Sequence, residues 1–242
     1  MLSTPIDKYW ATFFGLRPTS LNMPGCHCVA HAGLDGYQGA WVFRRGAVTI
    51  VSAPGDIRVK CERELGAGPL PECTDLPAWG RVFGRPITKM IGPAYDGFVA
   101  SNTSPNSSLP VRRLTPEDRS LLESLKASCT EEEWDHASID PEADEPVFGC
   151  VVEDRLAGVA QNEPRTSEAV SPGVLTASDW RRRGVGAAVL SAASQHALMT
   201  GRLVLYQTLL ENQASLRLGE SVGVVPYAVH HAFRFAADGG EG

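Results

Sequence analysis

The stretch Trp180-Arg181-Arg182-Arg183-Gly184-Val185-Gly186, continuing from Ala187 to Thr200, decides how this chain reads. Three arginines run into two glycines spaced G-x-G, just where an apolar-periodic segment begins. Val185, Val189, Ala192 or Ala193, and His196 fall on one face of a helix there, and Gly201 stands where a C-cap belongs. Glycine lets backbone approach a ligand with no Cβ in the way. The first amides of a helix have no partner within it, and the helix dipole favours an anion beside them. Arginine adds fork-shaped donors. The combination suits a pyrophosphate.

Two other phosphate-binding patterns are excluded. A dinucleotide fingerprint needs a third small residue at position 189 and a strand running straight into its first glycine. Here Val189 occupies that place, and Asp179-Trp180-Arg181-Arg182-Arg183 approaches Gly184 as polar loop. A Walker loop needs Gly-Lys-Ser/Thr, which does not follow. Glycines in a first helical turn cost about 1 kcal/mol each in helix propensity. A ligand accounts for them better than indifference does.

The bulk properties set looser bounds. The chain has 242 residues, 43% of them hydrophobic and 21% charged, which is globular and long enough for one large domain or two small ones. A net charge of -6 argues against nucleic acid as a partner. No apolar run is long enough to span a bilayer, and Met1 to Leu16, with Asp7 and Lys8, lacks a signal-peptide core. A cytoplasmic protein without a membrane partner is expected. Cys26-His27-Cys28 with His31 has some character of a zinc site but lacks a second ligand pair. The six cysteines therefore read as reduced, with no metal.

Along the chain, Gly39–Phe43 and Ala47–Val51 flank Arg44-Arg45-Gly46 as a hairpin. The polar segment beginning Ser101-Asn102-Thr103-Ser104 reads as a linker. The expected organisation is an N-terminal α+β domain over 1–100, a linker over 101–109 and a second domain over 110–242. In the latter, Val111–Leu114 is a strand, and Thr115-Pro116-Glu117-Asp118 opens a helix carrying Leu121, Leu122 and Leu125. Phe148–Val152 and Leu156–Ala160 form a second hairpin, and Val174-Leu175-Thr176 follows Pro172-Gly173 as a strand distorted near its start. Leu203–Tyr206 is a strand, Ala214–Val222 a helix, and Val224–Tyr227 and Ala232–Phe235 are the last strands.

This β-α-β-β-β-α-β-α-β-β order, together with Arg181-x-x-Gly184-x-Gly186, resembles the GNAT superfamily of acetyl-CoA-dependent N-acetyltransferases. Asn212-Gln213-Ala214-Ser215, with Gly223 eight residues after Ser215, is a second point of likeness. The resemblance covers about Val111 to Phe235. It implies an α/β (α+β) fold with a mixed, mostly antiparallel sheet flanked by helices, here preceded by a smaller N-terminal domain that some relatives carry as a degenerate copy. It also implies roles. Backbone groups of Val174, Leu175 and Thr176 would pair with a pantetheine arm, the N–H near Leu175 polarising the thioester carbonyl. The amides from Arg182 through Gly184, Val185, Gly186 and Ala187 would hold the pyrophosphate, with charge from Arg181, Arg182 and Arg183. Asn212 and Ser215 would face the cofactor from the opposite side.

The implied reaction is direct acetyl transfer from acetyl-CoA to an amine, of a small molecule or a protein, without a metal; a homodimer is compatible with it. The amine must first lose its proton to a base. Where some relatives carry a glutamate on the fourth strand, this chain has Val170, and where many carry a tyrosine acid, it has Gly219. Glu168, two residues before Val170 and so on the same strand face, and Glu163 near the end of the preceding strand are the candidate bases. Tyr206 and Tyr227 are alternative acids by location. Between Thr115 and Glu145 there are eleven acids against two Lys or Arg, a field suited to a cationic acceptor. A non-catalytic acetyl-CoA-binding or protein-interaction module is the rival reading.

Overall fold

A computed structural model describes residues 4–66, 68–100 and 108–236. All but Ser108 and Leu109 of the expected linker fall outside them. The chain divides into two compact units that interleave along the sequence. The first holds residues up to Asp96, Leu209–Glu211 and everything from Tyr227 onward. The second holds Gly97–Thr208 and Asn212–Pro226. Residues 227–236 thus belong with the N-terminal residues, although the sequence placed them in the second segment.

In the first unit, helix α1 (Pro5–Phe13) is followed by strands β1 (Gly25–Ala30), β2 (Gly39–Arg45) and β3 (Val48–Ala53). Helices α2 (Gly55–Gly66) and α3 (Leu76–Phe83) and strand β4 (Ile87–Val99) come next. The strand order in this unit is β1-β3-β2-β10-β4, where β10 (Val224–Phe235) is the last strand of the chain. It is one continuous strand where the sequence suggested two. Its pairing with β2 is antiparallel from Val229 opposite Arg44 to Arg234 opposite Gly39. The expected hairpin of β2 and β3 is present, turning at Gly46 with φ +57°.

Period-two alternation gives this sheet two apolar faces. On one, Val42, Val51 and Phe233 pack against Ile57, Cys61, Trp79 and Phe83 of α2 and α3. On the other, Trp10 and Phe14 meet Phe43 with ring centroids 4.7 and 5.1 Å away. A capping box between Thr4 and Asp7 starts α1. Asp7 also accepts from Arg45 and from the Tyr227 hydroxyl, both at 2.8 Å.

The second unit contains β5 (Val111–Arg113), α4 (Arg119–Ala127), α5 (Glu131–Ala137), β6 (Val147–Val152), β7 (Arg155–Thr166) and β8 (Ala169–Thr176). Helix α6 (Val185–Met199), strand β9 (Leu203–Leu209) and helix α7 (Gln213–Ser221) complete it. Its strand order is β9-β8-β7-β6-β5, antiparallel except for the parallel pair β8 and β9. Leu122, Leu125 and Ala137 cover one face over Val147, Val159 and Leu175. Val185, Val189 and Ala193 cover the other over Cys150, Ala157 and Ala160. Neighbouring residues of β7 pin both layers. Gln161 Nε2 donates to the carbonyls of Asp140 and Glu145 on one side, and Asn162 Nδ2 to that of Ala193 on the other. Among the described residues no helix is long and apolar enough to cross a membrane.

Phe233 is fully buried on the closing strand of the first unit. Its replacement by alanine leaves a cavity and should cost about 3–5 kcal/mol. The check is urea unfolding followed by tryptophan fluorescence, since Trp79 lies 5.6 Å from the Phe233 ring. A loss below about 1 kcal/mol would contradict this packing role.

Candidate functional site

The site lies in the second unit, where the ladder between β8 and β9 stops. The two strands pair only at Ala169 opposite Leu203 and Val170 opposite Val204. At their start the Leu203 N–H donates to the Glu168 carbonyl at 2.8 Å. Backbone groups alternate sides along a strand. Even-numbered residues of β8 therefore present their N–H and C=O toward β9, and odd-numbered ones toward β7. Pro172 is even and has no N–H to give. The ladder fails at the residue where its next donor is missing, while β8 keeps one register with β7 from Val170 to Thr176. The distortion expected at Pro172-Gly173 is therefore on one edge only. The irregularity with β7 lies between Pro164 and Thr166.

This parity sorts the expected backbone donors. The N–H and C=O of Val174 and Thr176 face the opening. Leu175 faces β7, and its carbonyl lies 2.9 Å from where a Cβ on Gly158 would be. The N–H on the open side nearest the expected position is therefore that of Val174. The Leu175 side chain sits in the core under α4 and α5.

Beyond β8 the chain makes a short 3-10 turn, Ser178–Trp180, and enters α6. Gly184 is the N-cap, with φ +81° and no side-chain hydrogen bond to the helix. The amides of Val185, Gly186 and Ala187 precede the first intrahelical bond, from Ala188 N–H to the Gly184 carbonyl at 3.0 Å. They point out of the helix start with its dipole behind them. A Cβ on Gly186 would lie 3.1 Å from Thr176 Oγ1 and 3.5 Å from Leu218, so glycine lets the helix start, β8 and α7 meet.

The three arginines do different things. Arg181 Nε donates to the Thr176 carbonyl at 3.2 Å, and its Nη2 meets Glu133 of α5 at 2.5 Å. The Arg181 guanidinium holds the Glu133 carboxyl below its ordinary pKa. Arg181 thus ties the loop to α5 rather than presenting a free charge. Arg183 stacks over the Trp180 ring at 5.1 Å. Arg182 is exposed, adopts φ +61° and has no ion-pair partner among the described residues.

On the far side of the opening, Asn212 caps α7, its Oδ1 accepting from the Ser215 N–H at 3.0 Å. Its amide NH2 stays on the exposed surface. Tyr206 of β9 lies two residues past the last pair with β8. Its ring fills the space beside Gly219, where a Cβ would come within 2.9 Å. Its hydroxyl lies 2.8 Å from both the carbonyl and Oγ of Ser215. Burial pushes this hydroxyl above its ordinary pKa, against the Ser215 bond, so it is protonated at neutral pH. Tyr227, the other tyrosine considered, belongs to the first unit, bound to Asp7.

The two candidate bases separate. Glu168 is not on a strand face. It lies exposed in the turn at 167–168 that joins β7 to β8. Glu163 is on β7 directly opposite Ser171, beside the point where β8 and β9 part, and pairs with Arg165 at 3.2 Å. Sequence reasoning missed the Tyr206–Ser215 pair, whose only signal was the small residue at 219.

Solved structures place this architecture. An acetyltransferase of the GNAT family from Colwellia psychrerythraea aligns with a TM-score of 0.54, at 13% identity, over 75% of this chain and 72% of its own. The chain has the GNAT fold. A GCN5-related N-acetyltransferase from Kribbella flavida aligns at 0.46 and 17% identity, over 66% of this chain and 65% of its own, too low to add to the argument. No protein-family profile and no curated protein matches the sequence. What the likeness shows is the fold; the parted strands and the uncapped helix start are features of this chain's second unit.

Gly173 is held by contact, not by φ. A Cβ there would lie 1.7 Å from the Ala137 carbonyl oxygen at the end of α5. Gly173→Ala should destabilise the protein by about 1–3 kcal/mol through overpacking. Gly201→Ala has φ +77° but open space around it and should cost about 1 kcal/mol. Melting temperatures of the two variants test this ranking, and the reverse order would count against the contact.

Proposed function

We propose that the second unit is an acetyl-CoA-dependent N-acetyltransferase that moves an acetyl group directly to an amine of a small molecule or a protein. The observation that carries this reading is the parting of β8 and β9 after Val170, next to the uncapped start of α6. An extended, amide-bearing arm ending in a pyrophosphate fits those two features together. The arm would add a strand to the unpaired even side of β8, and the anion would take the amides from Gly184 to Ala187. Arg182, and Arg183 from its stacked position, would add charge.

Bound acetyl-CoA would supply an activated thioester carbonyl. The Val174 N–H would donate to that oxygen as charge develops on it. Glu163, beside the parting point, would take the proton from the incoming ammonium. Glu168 would act only from the turn, roughly 7 Å beyond Val170 at the rise of a strand. The Tyr206 hydroxyl, protonated and backed by Ser215, would give its proton to the departing sulfur. Acids on α5 and the loop after it would favour a cationic acceptor.

Titration calorimetry should show one acetyl-CoA bound per chain. Arg182→Ala combined with Arg183→Ala should weaken it about tenfold, or 1.4 kcal/mol. An affinity unchanged within twofold would refute the pyrophosphate assignment. Release of coenzyme A in a screen of amines separates an enzyme from a binding module, which would bind acetyl-CoA and turn over nothing. For Tyr206→Phe, acetyl-CoA affinity should hold while turnover falls about a hundredfold or more, the usual range for general-acid loss. Equal turnover would remove Tyr206 from the reaction.

A further inference from the structure

The loop that leads into α6 is fastened at the end of β8 by a guanidinium. Arg181 stands three positions before the N-cap Gly184. Its Nε donates to the Thr176 carbonyl at 3.2 Å and its Nη2 to Glu133 of α5 at 2.5 Å. Thr176 is even-numbered, so its carbonyl is turned away from β7. The next residue bears out that parity, since the Ala177 N–H donates to the Ala157 carbonyl of β7 at 3.0 Å. An arm laid along β8 as an added strand needs its own N–H at the carbonyl that Arg181 holds. In the free protein the guanidinium occupies that place.

Glu133 is divided between two duties. Its Oε2 accepts from the Thr130 N–H at 3.1 Å and closes the capping box that starts α5. Its Oε1 takes Arg181. The Arg181 side chain is 47% exposed and that of Glu133 36%. An ion pair open to water in this way is weak and readily exchanged. A pair between arginine and a phosphate group is charge-assisted, forked and stronger. The present hold is firm enough to place the guanidinium and weak enough to release it.

We propose that Glu133 is a positioning residue for donor binding, which keeps Arg181 folded over the end of β8 until a pyrophosphate takes it. The pyrophosphate of coenzyme A draws the guanidinium off both Glu133 and the Thr176 carbonyl. One movement then clears that carbonyl for the arm and adds a third arginine to the anion site. The inference rests on the acetyl-CoA reading above and assigns it a residue outside the cofactor loop. Glu133 opposes binding of the donor, and it does so only through Arg181.

The test is calorimetric titration of coenzyme A into the full-length protein, Glu133→Gln, Arg181→Gln and the double variant. Glutamine has one side-chain oxygen where glutamate has two. It serves in a capping box as glutamate does, and so keeps the start of α5 while losing the acceptor that faces Arg181. Glu133→Gln should bind coenzyme A about threefold more tightly, the scale of an exposed ion pair. Arg181→Gln should bind it at least about threefold more weakly, because the phosphate contact it loses is stronger than the pair it had. Adding Glu133→Gln to Arg181→Gln should leave the affinity unchanged. Equal or weaker binding by Glu133→Gln overturns the proposal, as does undiminished binding by Arg181→Gln. A gain that persists in the double variant also overturns it, since an acid repelling the ligand through its field acts without Arg181. Circular dichroism checks folding, and the Arg181→Gln arm stays decisive if Glu133→Gln does not fold. Coenzyme A that fails to bind the unmodified protein sinks the acetyl-CoA reading and this inference together. Binding that does not respond to Glu133→Gln sinks the positioning role alone.

Discussion

One missing hydrogen-bond donor organises the second unit. Strand β8 keeps its partner β7 along its whole length, yet it leaves β9 after two pairs, because Pro172 has no N–H on the side facing β9. Buried backbone groups normally find partners within the protein. Here a row of them on β8 has no partner strand, and the nearest helix start, at Gly184, has amides without a cap. In the reading proposed above, these groups, apart from the Thr176 carbonyl that Arg181 takes, are the ones a phosphate-bearing, amide-bearing ligand would satisfy. The rest of the unit holds them in place: Gln161 and Asn162 fix the layers on either face, and Arg181 braces the intervening loop through Glu133 and the Thr176 carbonyl.

Much of this was legible in the sequence where local signals sufficed. The helix from Val185 follows from the spacing of Val185, Val189 and Ala193, which do form its buried stripe. The two hairpins follow from apolar runs around short polar turns, and Gly201 terminates α6 with φ +77° as a C-cap glycine should. What failed was anything that depends on which strand lies on which side. Composition cannot tell that Leu175 turns its backbone toward β7, because that requires knowing which neighbour takes the even residues. Glu168 looked like a strand residue because the length of β7, reaching Thr166, is not written in any local pattern. The arginine row looked like three equal charges until a glutamate 48 positions away claimed one of them.

Gly219, where the family resemblance leads one to expect a tyrosine, has a packing counterpart. The space freed on α7 is occupied by the ring of Tyr206 from β9, with its hydroxyl against the turn of Ser215. Only the close approach of the two elements shows this packing.

The closing of the first unit by β10 has a consequence for the order of assembly. Its sheet needs the segment from Val229 to Arg234 beside β2, and its core needs Phe233 and Phe235. Synthesis runs from the N-terminus, and domains usually fold as they emerge. This unit begins first and has to wait for residues more than 170 positions later than its β3 before its edge is covered. Throughout that interval β2 offers an open strand edge and an unfilled aromatic cavity. Those are the features that invite wrong pairing between chains, so the unit's vulnerable period is set by translation time rather than by its own folding rate.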